Sequence, residues 1–171
     1  MSAPFTLIVA GRDAPLWLAA AALARGLAPS GVRVAAVELP GARTAAEAYA
    51  AFPALEALHN QLRLDEASLL RATGGSLTLG RNFTDLAGAW PAFLHAYGSA
   101  GTQIGGRDFF AHWVKARAHG LNVPLDDFSL TAAAARQGRL MLPDEESTLY
   151  GRCDYGYHLP AIHYVRVLSE A

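Results

Sequence analysis

The 171-residue chain is 52% hydrophobic and 17% charged, a composition that supports one packed globular domain and excludes a disordered, collagen-like or coiled-coil chain. Its 14 Lys and Arg balance 15 Asp and Glu at a net charge of -1, and Lys115 is the only lysine, so we expect no nucleic-acid partner. The single cysteine, Cys153, excludes an intrachain disulfide and a thiolate zinc cluster, and favours a reducing, cytoplasmic location.

The longest apolar stretch, residues 14–24, is well short of the ~20 residues that a membrane-spanning helix needs. We therefore expect no membrane span. A cleaved secretion signal is not expected either, because no Lys or Arg precedes Arg12 and the polar run of residues 11–13 interrupts the apolar residues before it.

The first part of the chain predicts a strand, a helix and a second strand. Residues 5–10 form a continuous apolar run, which is typical of a strand buried on both faces. Pro15 suits the first turn of a helix over residues 16–25, which Gly26 is expected to end. Residues 32–38 predict a second buried strand. Such a βαβ unit is expected to be parallel and right-handed.

Further along, apolar residues at helical spacing predict helix over residues 44–62, divided into two pieces by Pro53. Asp65 is a good N-cap for a short helix over residues 66–72. Alternating apolar residues predict a half-buried strand over residues 76–83. Three more helices are predicted over residues 106–118, 129–138 and 160–170. No internal repeat or linker divides the chain, so residues 1–171 are interpreted as one domain.

The opening unit has the layout of a dinucleotide-binding fold. In that fold, glycines after the first strand let the backbone approach a pyrophosphate at the helix N-terminus, and an acid after the second strand holds the ribose. Gly11, Asp13 and Ala14 form the candidate loop, and Glu38 is the candidate acid. However, Asp13 and Leu16 stand where the pattern GxGxxG has its second and third glycines. A carboxylate and a large side chain at these positions both oppose binding.

A simpler interpretation is also open. Gly11 could only end a strand, and Glu38 could be a solvated acid at a strand end. One glycine of three is a weak signal, so the pattern by itself favours this simpler interpretation.

Four further segments, spread along the chain, carry short sequence patterns. They are Trp17 with residues 18–24, Ile104-Gly105-Gly106 with Phe109, His112 and Trp113, Asp127-Phe128-Ser129-Leu130 with residues 132–136, and Tyr157-His158-Leu159. Together they resemble the N-terminal part of the flavin-dependent tryptophan halogenases, almost from end to end. The resemblance implies an α/β, flavoprotein-type (Rossmann-like) fold with a parallel sheet and helices on both faces, and FAD as the cofactor.

The chain departs from that family at two functional places. Where the family carries Gly-Glu-Ala-Thr-x-Pro, residues 48–53 read AYAAFP and keep little beyond the proline. Asn82 stands at the position of the family's catalytic lysine, and it offers neither an ammonium charge nor an amine nucleophile. Arg81 supplies a cation, but a neighbouring strand residue is expected to point to the other face. The family's tryptophan-pair motif and active-site glutamate do not occur.

These departures predict a halogenase-like module that binds FAD poorly, is inactive alone, and acts through a protein partner or as a homo-oligomer. The alternative is the N-terminal, FAD-binding piece of a working flavin-dependent halogenase or monooxygenase, completed by a C-terminal half. A separate flavin reductase would then supply reduced flavin.

Other groupings are weaker. Cys153, Asp154, His158 and His163 are types that bind metals, but the histidines lack helical i,i+3 or i,i+4 spacing, so no metal site is predicted. The acidic run of residues 144–146 is interpreted as a solvated turn. Two aromatic–histidine pairs could line a pocket or be core and boundary residues, the second being favoured. They are His95 with Tyr97, and His112 with Trp113.

Overall fold

The computed structural model describes residues 5–44, 46–141 and 153–170, and the chain divides into two compact units. The first unit combines residues 1–76 with 157–171, and the second comprises residues 77–156. Whether residues 1–171 behave as a single domain stays a prediction. The acidic run at 144–146 lies outside the described residues.

The first unit opens with the predicted strand, helix and strand. β1 (Thr6–Gly11) and β2 (Arg33–Glu38) pair in parallel, and α1 (Asp13–Leu27) connects them. The register places Gly11 opposite Glu38, so the strand-end glycine and the strand-end acid are neighbours. The parallel pairing of the predicted unit is thus confirmed. The prediction that both strands are buried on both faces was wrong, because every described residue of β1 and β2 is half-buried or exposed.

The helix α1 is longer than predicted at both ends. Gly26 was expected to end it, but this residue lies inside its last turn, and the chain turns at Gly31, whose φ is +66°. A left-handed φ is open to glycine at little cost, whereas an ordinary helical glycine signals nothing about a helix end. The prediction for Gly26 was therefore wrong.

The rest of the first unit packs a short sheet against helices. β3 (Ala48–Ala51) pairs antiparallel with β7 (Gly156–Pro160). The helices are α2 (Ala54–Leu62), α3 (Glu66–Thr73) and α6 (Ala161–Glu170). Their core contains Leu16, Leu62, Leu69, Tyr157, Leu159, Tyr164 and Val165, all buried.

Two predictions for this region had different outcomes. Asp65 caps α3, as predicted, by accepting a hydrogen bond from the Ser68 N–H at 2.8 Å. That bond stabilises the charged carboxylate and lowers the pKa of Asp65.

The first half of the helix predicted over residues 44–62 is instead the strand β3. Its backbone groups pair with β7, about 110 residues further along the chain, and local spacing cannot reveal such a partner.

Over its described residues, the second unit contains a two-stranded antiparallel sheet and two α-helices. β5 (Gly80–Phe83) pairs with β6 (Phe93–Ala96), which was not predicted. The strand predicted over 76–83 is broken at Leu79, which is buried between β4 (Ser76–Thr78) and β5. The helices are α4 (Phe109–Ala118) and α5 (Leu130–Arg136), which begin after the capping side chains of Asp108 and Ser129.

None of the described helices is both long and apolar enough to cross a membrane.

Candidate functional site

The loop between β1 and α1 is held in a conformation that suits glycine. Asp13 begins α1 with a φ of +58°, in the left-handed region that most side chains avoid. It occupies the second glycine position of the dinucleotide pattern. Asp and Asn tolerate this region better than other residues, so the loop keeps its shape although the glycine is gone.

Arg43 connects the two acids of the candidate site. Its Nε lies 2.9 Å from Oδ1 of Asp13, and its Nη2 contacts Oε1 of Glu38. All three side chains are partly exposed, with 23% of Arg43, 40% of Asp13 and 35% of Glu38 accessible. The structure therefore brings the predicted residues Asp13 and Glu38 together through a guanidinium that the sequence analysis had not singled out.

The backbone N–H of Ala14 is also engaged. It donates to the hydroxyl of Tyr49, at 3.2 Å. Tyr49 lies on β3, opposite Leu159 of β7, at the place where the family pattern has its glutamate. One of the first amides of α1, which in a dinucleotide fold would face a phosphate, thus has a partner within the chain.

Tyr49 packs against one member of a buried cluster of aromatic and histidine side chains. Its ring packs edge-on against Tyr164, with ring centres 5.9 Å apart. The Tyr164 hydroxyl lies 2.7 Å from Nε2 of His59, and the His59 ring contacts Tyr157, whose hydroxyl donates to Glu66 at 2.6 Å. Burial lowers the pKa of His59, although the charge of Glu66 opposes the shift, and burial raises the pKa of Tyr164. Both groups are therefore neutral at pH 7.

Leu16, at the third glycine position, is part of the hydrophobic core. Only 3% of it is exposed, and a Cβ placed on Gly11 would lie 3.5 Å from the Leu16 Cβ, an ordinary packing distance. Leu16 therefore packs in the core beside the end of β1, and its effect on nucleotide binding stays a prediction. Neither positive φ nor crowding inside the chain demands glycine at position 11.

A dinucleotide such as FAD fits this site at one end only. Glu38 ends β2 beside Gly11, which is the place of a ribose-binding acid. At the pyrophosphate end, the Asp13 carboxylate would repel a phosphate and the Ala14 amide already has an acceptor. The pyrophosphate does not fit while Asp13 and Tyr49 hold these positions.

In the second unit, the position of the family's lysine is open to solvent. Asn82 is exposed on β5, opposite Leu94 of β6. Arg81 next to it is partly buried, and its Nε donates to the Tyr97 hydroxyl at 3.3 Å. The neighbouring cation is thus held by another side chain, and the strand gives the two residues different surroundings, as expected.

In each of the two predicted aromatic–histidine pairs, one residue lines a cavity and the other does not. His95 and Trp113 line a cavity of about 960 Å³ in the second unit, together with Phe93, Phe110 and Arg117. Tyr97 and His112 do not line it, and the His112 ring contacts the carbonyl of Ile104 at 3.1 Å. Each pair therefore contributes one residue to the cavity.

The metal-binding types do not form a cluster among the described residues. No group of three or more His, Cys, Asp or Glu able to hold a metal occurs within residues 5–44, 46–141 and 153–170. Cys153 is buried, which raises the pKa of its thiol, and the His163 ring contacts the Thr73 carbonyl at 3.1 Å. His158 is exposed on β7.

The fold and the loop together define the class: an α/β protein whose first strand–helix–strand unit has the dinucleotide-binding layout. The family model for tryptophan halogenases matches residues 6–171, so the chain belongs to the tryptophan halogenase family. No curated protein sequence matches the chain.

Several solved structures share the fold. BrvH, a flavin-dependent halogenase from Brevundimonas sp. BAL3, is 27% identical with a TM-score of 0.80 over 98% of this chain. Xcc4156, a flavin-dependent halogenase from Xanthomonas campestris, is 30% identical with a TM-score of 0.79 over 99% of it. A tryptophan halogenase from Shewanella frigidimarina NCIMB 400, at 20% identity and a TM-score of 0.72 over 98%, shares the fold. The matches cover 33%, 33% and 34% of those proteins, so this chain spans about a third of their length.

These matches confirm the predicted family resemblance and the α/β, Rossmann-like fold. Sequence reasoning had missed Arg43 and Tyr49. A signal for Tyr49 existed, because it replaces the family's glutamate, but Arg43 lies in an irregular segment that carries no pattern.

Proposed function

We propose that this chain supplies the N-terminal, dinucleotide-fold third of a flavin-dependent halogenase or related monooxygenase. The remaining two thirds of the relatives' length would then complete the active site. The observation that carries the proposal is the family match over residues 6–171, with the strand-end acid Glu38 opposite Gly11. A separate flavin reductase would be the source of reduced flavin.

Asn82 separates flavin binding from halogen transfer in this proposal. An amide carries no positive charge and cannot act as an amine nucleophile, and Arg81 is bonded to Tyr97. We therefore propose flavin dependence for the completed protein, and we assign no halogen-transferring group to this third of it.

The test is a titration with FAD, followed by flavin fluorescence and by calorimetry. It uses the natural chain and Asp13→Gly, because glycine removes the carboxylate and accepts the left-handed φ. Saturable binding is expected in at least the glycine variant. Adding Glu38→Gln should weaken it at least about tenfold, because a charged hydrogen bond to the ribose is lost.

Gly11→Ala is the matched control for the loop. Its Cβ has room beside Leu16, so the fold is expected to survive, but the methyl group would keep a pyrophosphate away from the backbone. Absence of FAD binding by both the natural chain and Asp13→Gly, with circular dichroism showing folded protein, would contradict the proposed function.

A second candidate is a module that binds no flavin and works through contacts with a second copy of this chain. The observation that favours it is an apolar sheet face: Ile8 is 65% exposed and Val37 46% exposed, on the same side of β1 and β2. Val34 and Ala36 on the other side line a cavity with α1 residues. An exposed apolar face of this kind often marks an interface.

A further inference from the structure

We infer that Asp13, Arg43, Glu38 and Tyr49 form a latch that closes the pyrophosphate end of the dinucleotide loop in this chain. The inference rests on the function proposed above, because a latch matters only where a nucleotide could lie. It identifies Asp13 and Tyr49 as the groups that must move or be replaced before a dinucleotide can bind, with Arg43, held by Glu38, fixing the Asp13 carboxylate.

The first part of the latch is electrostatic. The Nε of Arg43 lies 2.9 Å from Oδ1 of Asp13, a residue of the loop, and Glu38 contacts the same guanidinium. Within this group two carboxylates share one guanidinium, while Arg12, the other cation of the loop, lies beside Gly41. The Asp13 carboxylate stands at the loop position that approaches the pyrophosphate in the dinucleotide pattern, so it opposes that anion directly.

The second part of the latch is a hydrogen bond. The Tyr49 hydroxyl accepts from the Ala14 N–H, an amide at the start of α1 that a phosphate oxygen would otherwise use. Tyr49 cannot turn away easily, because its ring packs on Tyr164, which is 1% exposed and hydrogen-bonded to buried His59. The buried cluster of the first unit therefore keeps the amide engaged.

The two parts predict a specific order among variants. Asp13→Gly removes the repelling carboxylate, and Tyr49→Phe frees the amide while the ring and its packing stay. Arg43→Gln removes the guanidinium that pairs with both acids but leaves the Asp13 carboxylate in the loop, so it is expected not to open the site. If the Arg43 side chain closed the loop only by its bulk, Arg43→Gln would instead tighten nucleotide binding.

The experiment measures calorimetric dissociation constants for FAD and for ADP, which carries the pyrophosphate without the flavin ring. We expect Asp13→Gly and Tyr49→Phe each to tighten binding at least about tenfold relative to the natural chain, and the double variant to bind most tightly. Arg43→Gln should bind no better than the natural chain. Asp127→Asn, which removes another arginine-paired carboxylate in the second unit, is the matched control and should change nothing.

A second readout does not depend on any ligand. Hydrogen exchange of the Ala14 amide, followed by NMR, is expected to become at least about tenfold faster in Tyr49→Phe, because that amide loses its acceptor. Amides in the core of α1, such as that of Ala20, serve as the internal control and should keep their rates.

The outcomes separate the latch from the proposed function. Faster Ala14 exchange with no FAD or ADP binding by any variant would support the hydrogen bond of the latch and contradict nucleotide binding. Unchanged Ala14 exchange in Tyr49→Phe, or equal affinities for the natural chain and both opened variants, would overturn the latch. So would tighter binding by Arg43→Gln.

Discussion

Asp13 keeps the backbone of a dinucleotide-loop glycine but carries a carboxylate. A left-handed φ of +58° costs a non-glycine residue roughly 1 kcal/mol, and Asp less than most. The ion pair with Arg43 contributes no more than about 1 kcal/mol, because both side chains are partly exposed. The residue is therefore nearly neutral for stability, and its main effect is on what the loop can bind.

It follows that replacing Asp13 should leave the fold intact. Asp13→Gly and Asp13→Asn are each expected to change the free energy of unfolding by less than about 1 kcal/mol, because the exposed ion pair is weak, glycine adopts the left-handed φ without strain and asparagine tolerates it. Urea unfolding followed by circular dichroism measures the change. A loss of several kcal/mol in both variants would instead make the Asp13–Arg43 pair a structural requirement.

His59 makes the stability of the chain depend on pH. It is 2% exposed, and burial lowers its pKa below the ordinary value of 6.5. Below pH 6.5 the unfolded chain takes up a proton at this site that the folded chain refuses. Stability is therefore expected to be level above pH 6.5 and to fall below it by up to about 1.4 kcal/mol per pH unit, as measured by urea unfolding.

The control for this prediction is His59→Phe, which cannot titrate. It should flatten the slope between about pH 5 and pH 7, where histidine is the group that ordinarily titrates. At neutral pH it should cost about 1–3 kcal/mol, because the buried Tyr164 hydroxyl loses its partner. His59→Phe with Tyr164→Phe should recover part of that cost. An unchanged slope in His59→Phe would assign the pH dependence to other groups.

Among the secondary-structure elements, α1 contains a glycine, Gly26, at a position where the helix does not require one. Gly26 lies in the last turn of α1, and nothing comes within 4 Å of a Cβ placed there. Gly26→Ala is therefore expected to stabilise the chain by about 0.5–1 kcal/mol, by reducing the entropy of the unfolded chain. Thermal unfolding measures the gain.

The same substitution at Gly31 is the matched control for Gly26. This position also has open space, but its φ of +66° strains any side chain. Gly31→Ala should therefore destabilise the chain by roughly 1 kcal/mol. If both substitutions had the same sign, backbone conformation would not be the cause.

The strand β3 is an element that the sequence pattern predicted wrongly, as a helix. Alanines and a tyrosine at residues 48–51 are compatible with a helix, and helical spacing predicted one. The strand exists because β7 offers a partner and because Tyr49 contacts Ala14 and Tyr164. By contrast, α3 was predicted correctly because Asp65 and the helix it caps are neighbours in sequence.

For the whole molecule, the apolar face of β1 and β2 has a measurable consequence. If that face pairs with a second copy, light scattering should show an average mass that rises with protein concentration. Ile8→Thr keeps a β-branched strand residue but removes apolar surface, and it should lower that mass. Leu86→Thr, at a fully exposed residue in the second unit, is the control. A constant monomer mass at high concentration would exclude self-association.

What the sequence by itself determined was local or periodic: the βαβ unit, the cap of α3 and the family, since each depends on residues close together or on patterns kept in order. The tertiary structure decided the rest. Arg43 reaches Asp13 across 30 positions, and Tyr49 reaches Ala14 across 35. Such contacts depend on how distant segments pack, which neither spacing nor propensity encodes, and they determine whether the loop is open or closed.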